Sequence, residues 1–162
     1  MLILVYILLF LGWQVSLKWQ NWHTRRWEFG YFFSMVAVTT ASIGILKSQS
    51  AHACPWNMVI PTYDGILWDF SATAGHCFPG GHASSGFALV AGYFVYRMSN
   101  PKRAYFFLIA AVILGLAMGW AQMMRGAHFL SHNLWTGWII WCLNVIGYAL
   151  FSHKLEIEKT VP

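Results

Sequence analysis

Long apolar runs with almost no charged residues are the feature that most constrains what this chain can fold into. A membrane-spanning helix needs about 20 mainly apolar residues, and five segments are candidates. They cover residues 1–17, 27–46, 83–96, 104–124 and 134–151. Because backbone polar groups in lipid must be paired within the segment, such runs predict helices. We therefore expect an all-α, polytopic membrane bundle of about five transmembrane helices, forming one domain over residues 1–162.

Composition excludes the other broad classes of protein. Hydrophobic residues make up 58% of the chain and charged residues 9%, whereas a soluble domain has roughly 25% charged residues. A disordered chain would need low hydrophobicity and high charge. The formal net charge is +5, but the basic residues are scattered between apolar runs and form no basic stripe. A nucleic-acid partner is therefore not expected.

The distribution of basic residues predicts the orientation, because Lys and Arg are enriched in cytoplasmic loops. Alternate threading of five helices leaves Lys47 and Arg125 on one side. The other eight basic residues lie opposite: Lys18, Arg25, Arg26, Arg97, Lys102, Arg103, Lys154 and Lys159. The loop 48–81 is then extracytoplasmic, as is the N-terminus unless an upstream helix is absent. The first run lacks a basic start and a small-residue cleavage site, so we interpret it as a retained helix rather than a signal peptide.

A glycine motif precedes the third apolar run. Pro79, Gly80 and Gly81 allow a sharp turn with bare N–H groups at a helix start, and His82 follows directly. The partial positive charge of a helix N-terminus favours a bound phosphate. A glycine turn that merely begins a membrane helix is the alternative interpretation, and the adjacent histidine favours the phosphate site.

A histidine motif lies between the fourth and fifth runs. His128 and His132 are four residues apart, and Arg125 is three before His128, so on a helix all three share nearly one face. Such a pair can bind a metal, or one ring can act as base or nucleophile while the other orients it. Lys47, at the end of the second run, would by itself be an ordinary snorkelling lysine.

Together these segments resemble the type 2 phosphatidic acid phosphatase family. Its signature is Lys-x6-Arg-Pro, then Pro-Ser-Gly-His, then Ser-Arg-x5-His-x3-Asp, and the similarity covers residues 47–132. The matching positions are Lys47, Pro55, Pro79, Gly81, His82 and His128. The order of the motifs and their places relative to the apolar runs agree with the family.

Five positions depart from that signature. Cys54 and Gln122 replace its two arginines, Gly80 and Ala121 replace its serines, and His132 replaces its aspartate. Gly-Gly-His and Arg-Gly-Ala-His-Phe-Leu-Ser-His resemble the variant signature of a bacterial membrane-associated subgroup. The departures are therefore compatible with an active enzyme.

The resemblance implies phosphoryl transfer through a covalent phosphohistidine, without a metal or another cofactor. His128 would be the nucleophile and His82 the general acid. The phosphate would be held by Lys47, by the N–H groups of Gly80 and Gly81, and at the vacant arginine position Gln122. We further hypothesise that Arg125, one turn past Gln122, supplies the missing guanidinium.

Three further expectations concern the outer loop and its partners. His132 would accept a hydrogen bond that orients the nucleophile, although Asp69 or Asp64 could supply the carboxylate absent there. Cys54 and Cys77 flank the loop on the side where disulfides are permitted. They would form a bridge, with free thiols or metal ligands as alternatives, while Cys142 lies within the fifth run.

The leading hypothesis is a metal-independent membrane phosphatase or phosphotransferase acting on a lipid phosphate or pyrophosphate at the outer leaflet of the bacterial inner membrane. Phosphatidic acid, phosphatidylglycerol phosphate, an isoprenyl pyrophosphate and the phosphates of lipid A are equally suitable substrates. A histidine-rich metal-binding membrane protein and a non-catalytic head-group binder are the alternatives. The oligomeric state is left open.

Overall fold

Helices dominate the structure, a computed structural model that describes residues 2–19, 25–72 and 75–160. The helices are α1 (Leu2–Lys18), α2 (Arg26–Gln49), α3 (Gly81–Phe87), α4 (Ala91–Tyr96), α5 (Pro101–Met124) and α6 (Leu130–Thr160). A 3₁₀ turn, Ala88–Val90, joins α3 to α4, so residues 81–96 form one helical segment. The described residues thus contain five continuous helical segments, where the apolar runs predict them.

Three helices in the described part of the chain are long and apolar enough to cross a membrane: Arg26–Gln49, Pro101–Met124 and Leu130–Leu155. The predicted all-α membrane helix bundle is confirmed. Helix α1, with 17 residues, and the segment 81–96 fall short of the roughly 20 residues of a full crossing. Met1, which the predicted first span included, lies outside the described residues.

The short α3–α4 segment lies in the centre of the bundle. Ala83, Phe87, Ala91, Phe94 and Val95 are all buried, and the segment packs against α2, α5 and α6. Apolar and small side chains on most of its faces suit such an interior position. The central position holds the start of α3, and with it the glycine motif, between the three longest helices.

Glycines let α3 approach α5 closely. A Cβ atom added to Gly86 would lie against the backbone of Leu114 and Gly115, and one added to Gly115 would meet the ring of Phe87. Small residues permit this kind of backbone contact between membrane helices. The contact sets the position of α3 relative to the end of α5, where His128 follows.

The loop of residues 48–81, called the outer loop after its predicted position, contains a small antiparallel hairpin that the sequence patterns did not predict. Strand β1 (Val59–Thr62) pairs with β2 (Gly65–Trp68), with Val59 opposite Trp68. Both strands are largely exposed, including their apolar side chains. The loop therefore has local structure of its own, beside the otherwise helical fold.

Candidate active site

His128 lies in the tight turn between α5 and α6. Gly126 adopts a φ of 67° in this turn, and the Ala127 N–H donates to the Gln122 carbonyl at 2.9 Å. The outer loop is tied to the same turn, because the Trp56 N–H donates to the Gly126 carbonyl at 3.0 Å. Only 4% of His128 is exposed. The turn thus buries a histidine at one end of the bundle.

The surroundings of His128 keep its imidazole neutral. Burial is the largest cause and the positive charge of Lys47 the second, with smaller contributions from His132 and His82. Together they lower the pKa of His128 to about 4, although an interaction with the Cys77 backbone offsets part of the effect. At neutral pH the side chain is therefore an unprotonated ring with a lone pair available for attack.

The start of α3 meets Lys47 beside this histidine. A Cβ on Gly81 would lie 3.7 Å from Lys47 Nζ, so the ammonium group lies close to the backbone of the glycine motif. No side chain caps this helix start, and the next side chain, His82, is exposed. Lys47, Gly81, His82 and His128 therefore come together as the motifs predict.

His132 occupies an aromatic enclosure next to His128. The centre of its ring is 6.0 Å from that of His128 and 5.3 to 5.4 Å from those of Phe129 and Phe78. His52 from the outer loop lies 6.3 Å away. Nδ1 of His128 and Nδ1 of His132 are buried without a hydrogen-bond partner among the described residues. The predicted orienting hydrogen bond between the two rings is thus not made in this structure.

Comparison with known proteins agrees with the geometry. The profile of the PAP2 superfamily matches residues 28–155. This range includes His52, His82, His128 and His132. The chain belongs to the PAP2 superfamily. The family resemblance predicted from the three motifs is thereby confirmed.

A curated relative of this PAP2 superfamily member is the lipid A 4'-phosphatase of Francisella tularensis subsp. novicida (strain U112). The two are 34% identical over 76 residues, which cover 47% of this chain and 33% of the relative. The chain therefore spans about a third of the length of that relative. No solved structure matches.

Three residues assigned to the superfamily site by sequence are not among the groups that shift the pKa of His128. Arg125 ends α5 on an exposed surface and is absent from the charges that act on His128. Asp69 lies in the outer loop, where the Ser71 hydroxyl and N–H donate to its carboxylate and lower its pKa. Gln122 is half-buried, and its backbone carbonyl accepts the hydrogen bond from the Ala127 N–H in the turn before His128. Lys47 is the cation that the structure places at the site.

Gly80 has a different role from the one that its motif suggests. Its N–H donates to Thr136 Oγ1 at 2.8 Å, so this amide is engaged within the protein. A Cβ on Gly80 would meet the Asn133 side chain, which explains why this superfamily member has glycine where the signature has serine. Gly80 is thus a close-packing residue in this structure.

Two polar residues of α6 were missed by the motif search. Thr136 Oγ1 accepts from Gly80 and donates to the His132 carbonyl at 2.7 Å, linking the glycine motif to the histidine helix. Asn133 is 1% exposed, and neither polar atom of its amide has a hydrogen-bond partner among the described residues. A polar residue within an apolar helix is the signal that could have found both.

An open cavity of about 370 Å³ lies on the loop side of His132. Two imidazoles line it, those of His52 and His132. The other described residues that line it are apolar: Ala51, Ala53, Met58, Phe70, Ala72 and Phe129. An apolar wall next to ionisable rings suits a substrate with both a polar head and a hydrocarbon part.

No group of three His, Cys, Asp or Glu residues close enough to hold a metal ion occurs within residues 2–19, 25–72 and 75–160. The two cysteines proposed as alternative ligands are instead joined in a disulfide, Cys54–Cys77, with Cα atoms 5.2 Å apart. The bridge links the loop after Lys47 to the residues just before the glycine motif. Asp64, the other loop carboxylate considered, is exposed in the hairpin turn.

The disulfide leads to a prediction for thiol labelling. In unfolded, unreduced protein we expect one cysteine, Cys142, to react with an alkylating reagent, and all three to react after reduction, as measured by intact mass. Reduction should also lower phosphatase activity severalfold, because the loop that carries His52 is then less constrained. A Cys142→Ser variant is the control and should show no labelled cysteine before reduction and two after it. Three reactive thiols before reduction would contradict the bridge.

The lowered pKa of His128 leads to a prediction for the pH profile. Under the predicted role of His128 as nucleophile, its protonated ring cannot attack phosphorus. We then expect kcat/KM to fall as the pH drops through about 4, rather than through the ordinary histidine value of about 6.5. Lys47→Met removes a charge that lowers this pKa, so the acid limb should move to higher pH. Arg125→Met is the matched control and should leave the limb in place. If kcat/KM of Lys47→Met fell at the same pH as that of the wild type, the effect of Lys47 on the pKa of His128 would be contradicted.

Proposed function

We propose that this chain is an integral membrane phosphatase that hydrolyses a lipid phosphate or pyrophosphate, with His128 as the nucleophile. The observation that carries the proposal is the buried, neutral His128 under the electrostatic influence of both Lys47 and His82. A neutral imidazole can attack phosphorus, a nearby ammonium stabilises the phosphate charge, and an exposed second imidazole can transfer the proton. Membership of the PAP2 superfamily supports this assignment. We expect residues 1–162 to act as one domain.

The first step forms the bond between a ring nitrogen of His128 and phosphorus. The bond from phosphorus to the lipid oxygen breaks, and protonated His82 donates its proton to the departing oxygen. Lys47 and the N–H groups at the start of α3 would stabilise the equatorial phosphate oxygens, since phosphoryl transfer depends mainly on positioning and charge stabilisation. In the second step the oxygen of a water molecule attacks phosphorus while His82 accepts a proton from that water. The bond between phosphorus and the His128 nitrogen breaks, which releases inorganic phosphate and restores His128.

Three observations support a lipid as the substrate. The cavity beside His132 has mainly apolar walls, and the curated relative is named as a phosphatase of lipid A. The site also lies at the ends of α2 and α6, where the helices would emerge from the bilayer. A lipid could place its head group at His128 and keep its chains in the membrane.

We propose that the site faces the outside of the bacterial inner membrane. Eight of the ten basic residues lie on the side away from Lys47 and Arg125 in the threading of the apolar runs. Since cytoplasmic loops carry the excess of Lys and Arg, the end of the bundle with His128 is extracytoplasmic. The disulfide at that end agrees with an oxidising compartment.

Phosphate release by the purified chain tests the function directly. Phosphatidic acid, an isoprenyl pyrophosphate and lipid A would each be supplied in mixed micelles, with the water-soluble glycerol 3-phosphate as comparison. We expect release from at least one of the three lipids, and slower release from glycerol phosphate. Activity that survives exhaustive chelation would support the metal-independent mechanism, and release that stops with chelation would contradict it. No release from any lipid would favour the head-group binder.

The role of His82 leads to a prediction that depends on the leaving group. His82→Ala should lower kcat for a lipid alcohol leaving group by roughly 10²–10⁴-fold, the usual contribution of a general acid. For p-nitrophenyl phosphate, whose phenolate leaves without a proton, the loss in the phosphorylation step should be much smaller. His76→Ala, an exposed loop histidine, is the control. Equal losses for both leaving groups would exclude His82 as the acid.

A further inference from the structure

An apolar cavity lies at the end of the bundle opposite His128 and His132. It has a volume of about 400 Å³ and lies between the C-terminal part of α1, the N-terminal part of α2 and the C-terminal part of α6. Along α2, Arg26 at the cavity and Lys47 at the active site are 21 residues apart, which is about 30 Å of helix. That distance equals the thickness of the hydrocarbon core of a bilayer. The cavity is thus at the level of the other leaflet.

Charge complementarity indicates the kind of ligand that fits. Among the described residues that line the cavity, Arg26 and Lys154 carry a formal charge, and both are positive. Each lies 5.8 Å from the ring of Trp27, so the two cations are held around one aromatic side chain. Glu28, on the same first turn of α2, is not part of the cavity wall. An anionic group is therefore favoured at this mouth.

The rest of the cavity fits a hydrocarbon chain. Apolar and aromatic side chains form most of its wall: Trp13, Leu17, Trp27, Tyr31, Met35, Phe151 and Leu155. Basic pockets between membrane helices at the cytoplasmic side bind anionic lipid head groups. Tryptophans are typical of the interface, where head groups meet chains. The cavity therefore combines the two recognition elements that a phospholipid requires.

We propose that this cavity binds one anionic glycerophospholipid of the leaflet opposite the active site. Arg26 and Lys154 hold its phosphate, and one acyl chain lies between α1, α2 and α6. The bound lipid fills the space between α1 and the rest of the bundle. This site is separate from the catalytic one, and the inference does not depend on which reaction His128 performs.

Native mass spectrometry of the full chain in detergent tests the proposal, with phosphatidylglycerol and phosphatidylcholine as probes. We expect one retained phosphatidylglycerol, bound in preference to phosphatidylcholine. The double variant Arg26→Gln/Lys154→Gln should weaken phosphatidylglycerol retention by roughly thirtyfold, the effect of two cations at a lipid surface. The matched control Lys102→Gln/Arg103→Gln removes the same charge outside the cavity and should retain the lipid.

A second pair of variants locates the bound lipid without changing the two cations. Ser34→Leu adds bulk at the cavity wall and should reduce retention, whereas Lys47→Met at the active site should not. Loss of the lipid in Lys47→Met would place it at the catalytic site and overturn the proposal. So would equal retention of the two lipids by the wild type, equal losses in both charge variants, or no retained phospholipid. Because lipid mass is the readout, an inactive phosphatase would not affect the result.

Discussion

Replacing His128 by alanine is expected to abolish phosphate release, lowering kcat by at least about 10⁴-fold, because the proposed covalent intermediate forms on this ring. His128 is buried and lies in a turn bonded to the outer loop through Trp56, so a cavity-forming change could also disturb the fold. His128→Asn keeps a polar side chain of similar size and should be equally inactive. Thermal unfolding of both variants separates loss of chemistry from loss of structure.

Chemical trapping extends this prediction to the intermediate. Acid-labile phosphate bound to protein should accumulate when wild-type enzyme is quenched with base during turnover, and it should be absent in both His128 variants. His153→Ala, an exposed histidine at the far end of α6, is the control and should retain activity and labelling. A folded His128→Asn protein with near wild-type turnover would rule out His128 as the nucleophile. Retained labelling on another histidine would move the role to that residue.

Gly86→Leu is expected to destabilise the bundle by about 3 kcal/mol or more, the upper range for overpacking a close contact. The added side chain would meet the backbone of Leu114 and Gly115, and a backbone cannot turn aside as a flexible side chain can. Helices α3 and α5 would have to separate. The measurement is thermal unfolding of the detergent-solubilised protein, together with its yield as a monodisperse species.

Gly44→Leu is the matched control for that prediction. Gly44 is exposed on α2, and a Cβ added there meets nothing within 4 Å. The same change of residue type should therefore leave unfolding unchanged or raise its temperature slightly, because glycine is a poor helix former. A similar fall of the unfolding temperature in Gly86→Leu and Gly44→Leu would show that the close approach of α3 and α5 is not what stabilises the bundle.

Much of the candidate site could be predicted from sequence, because its motifs are short and lie next to apolar runs. Lys47 at the end of one run, Gly81 and His82 at the start of the next, and His128 before the last come together as predicted. Each position depends on where a helix begins or ends, and apolar length indicates this directly. The outer hairpin was missed because its strands are short and exposed on both faces.

Other roles could not be predicted because they depend on contacts between distant parts of the chain. Gly80 donates to Thr136, which is 56 residues away, so its amide is not the free donor that the motif suggests. Arg125 shares a predicted helical face with His128, but the chain leaves α5 at Arg125 and turns before α6 begins. The shared face therefore does not exist, and Arg125 remains exposed.

The sequence by itself determined the class of this protein: an all-α membrane bundle of the PAP2 superfamily with His82, His128 and His132 at one end. Apolar length, scarcity of charge and motif order are properties of the chain that need no folding to be visible. Only the tertiary structure decided which cation meets His128 and which amides are already occupied. Those outcomes depend on how the helices rotate and approach one another, and close contacts such as that between Gly86 and Gly115 set this packing.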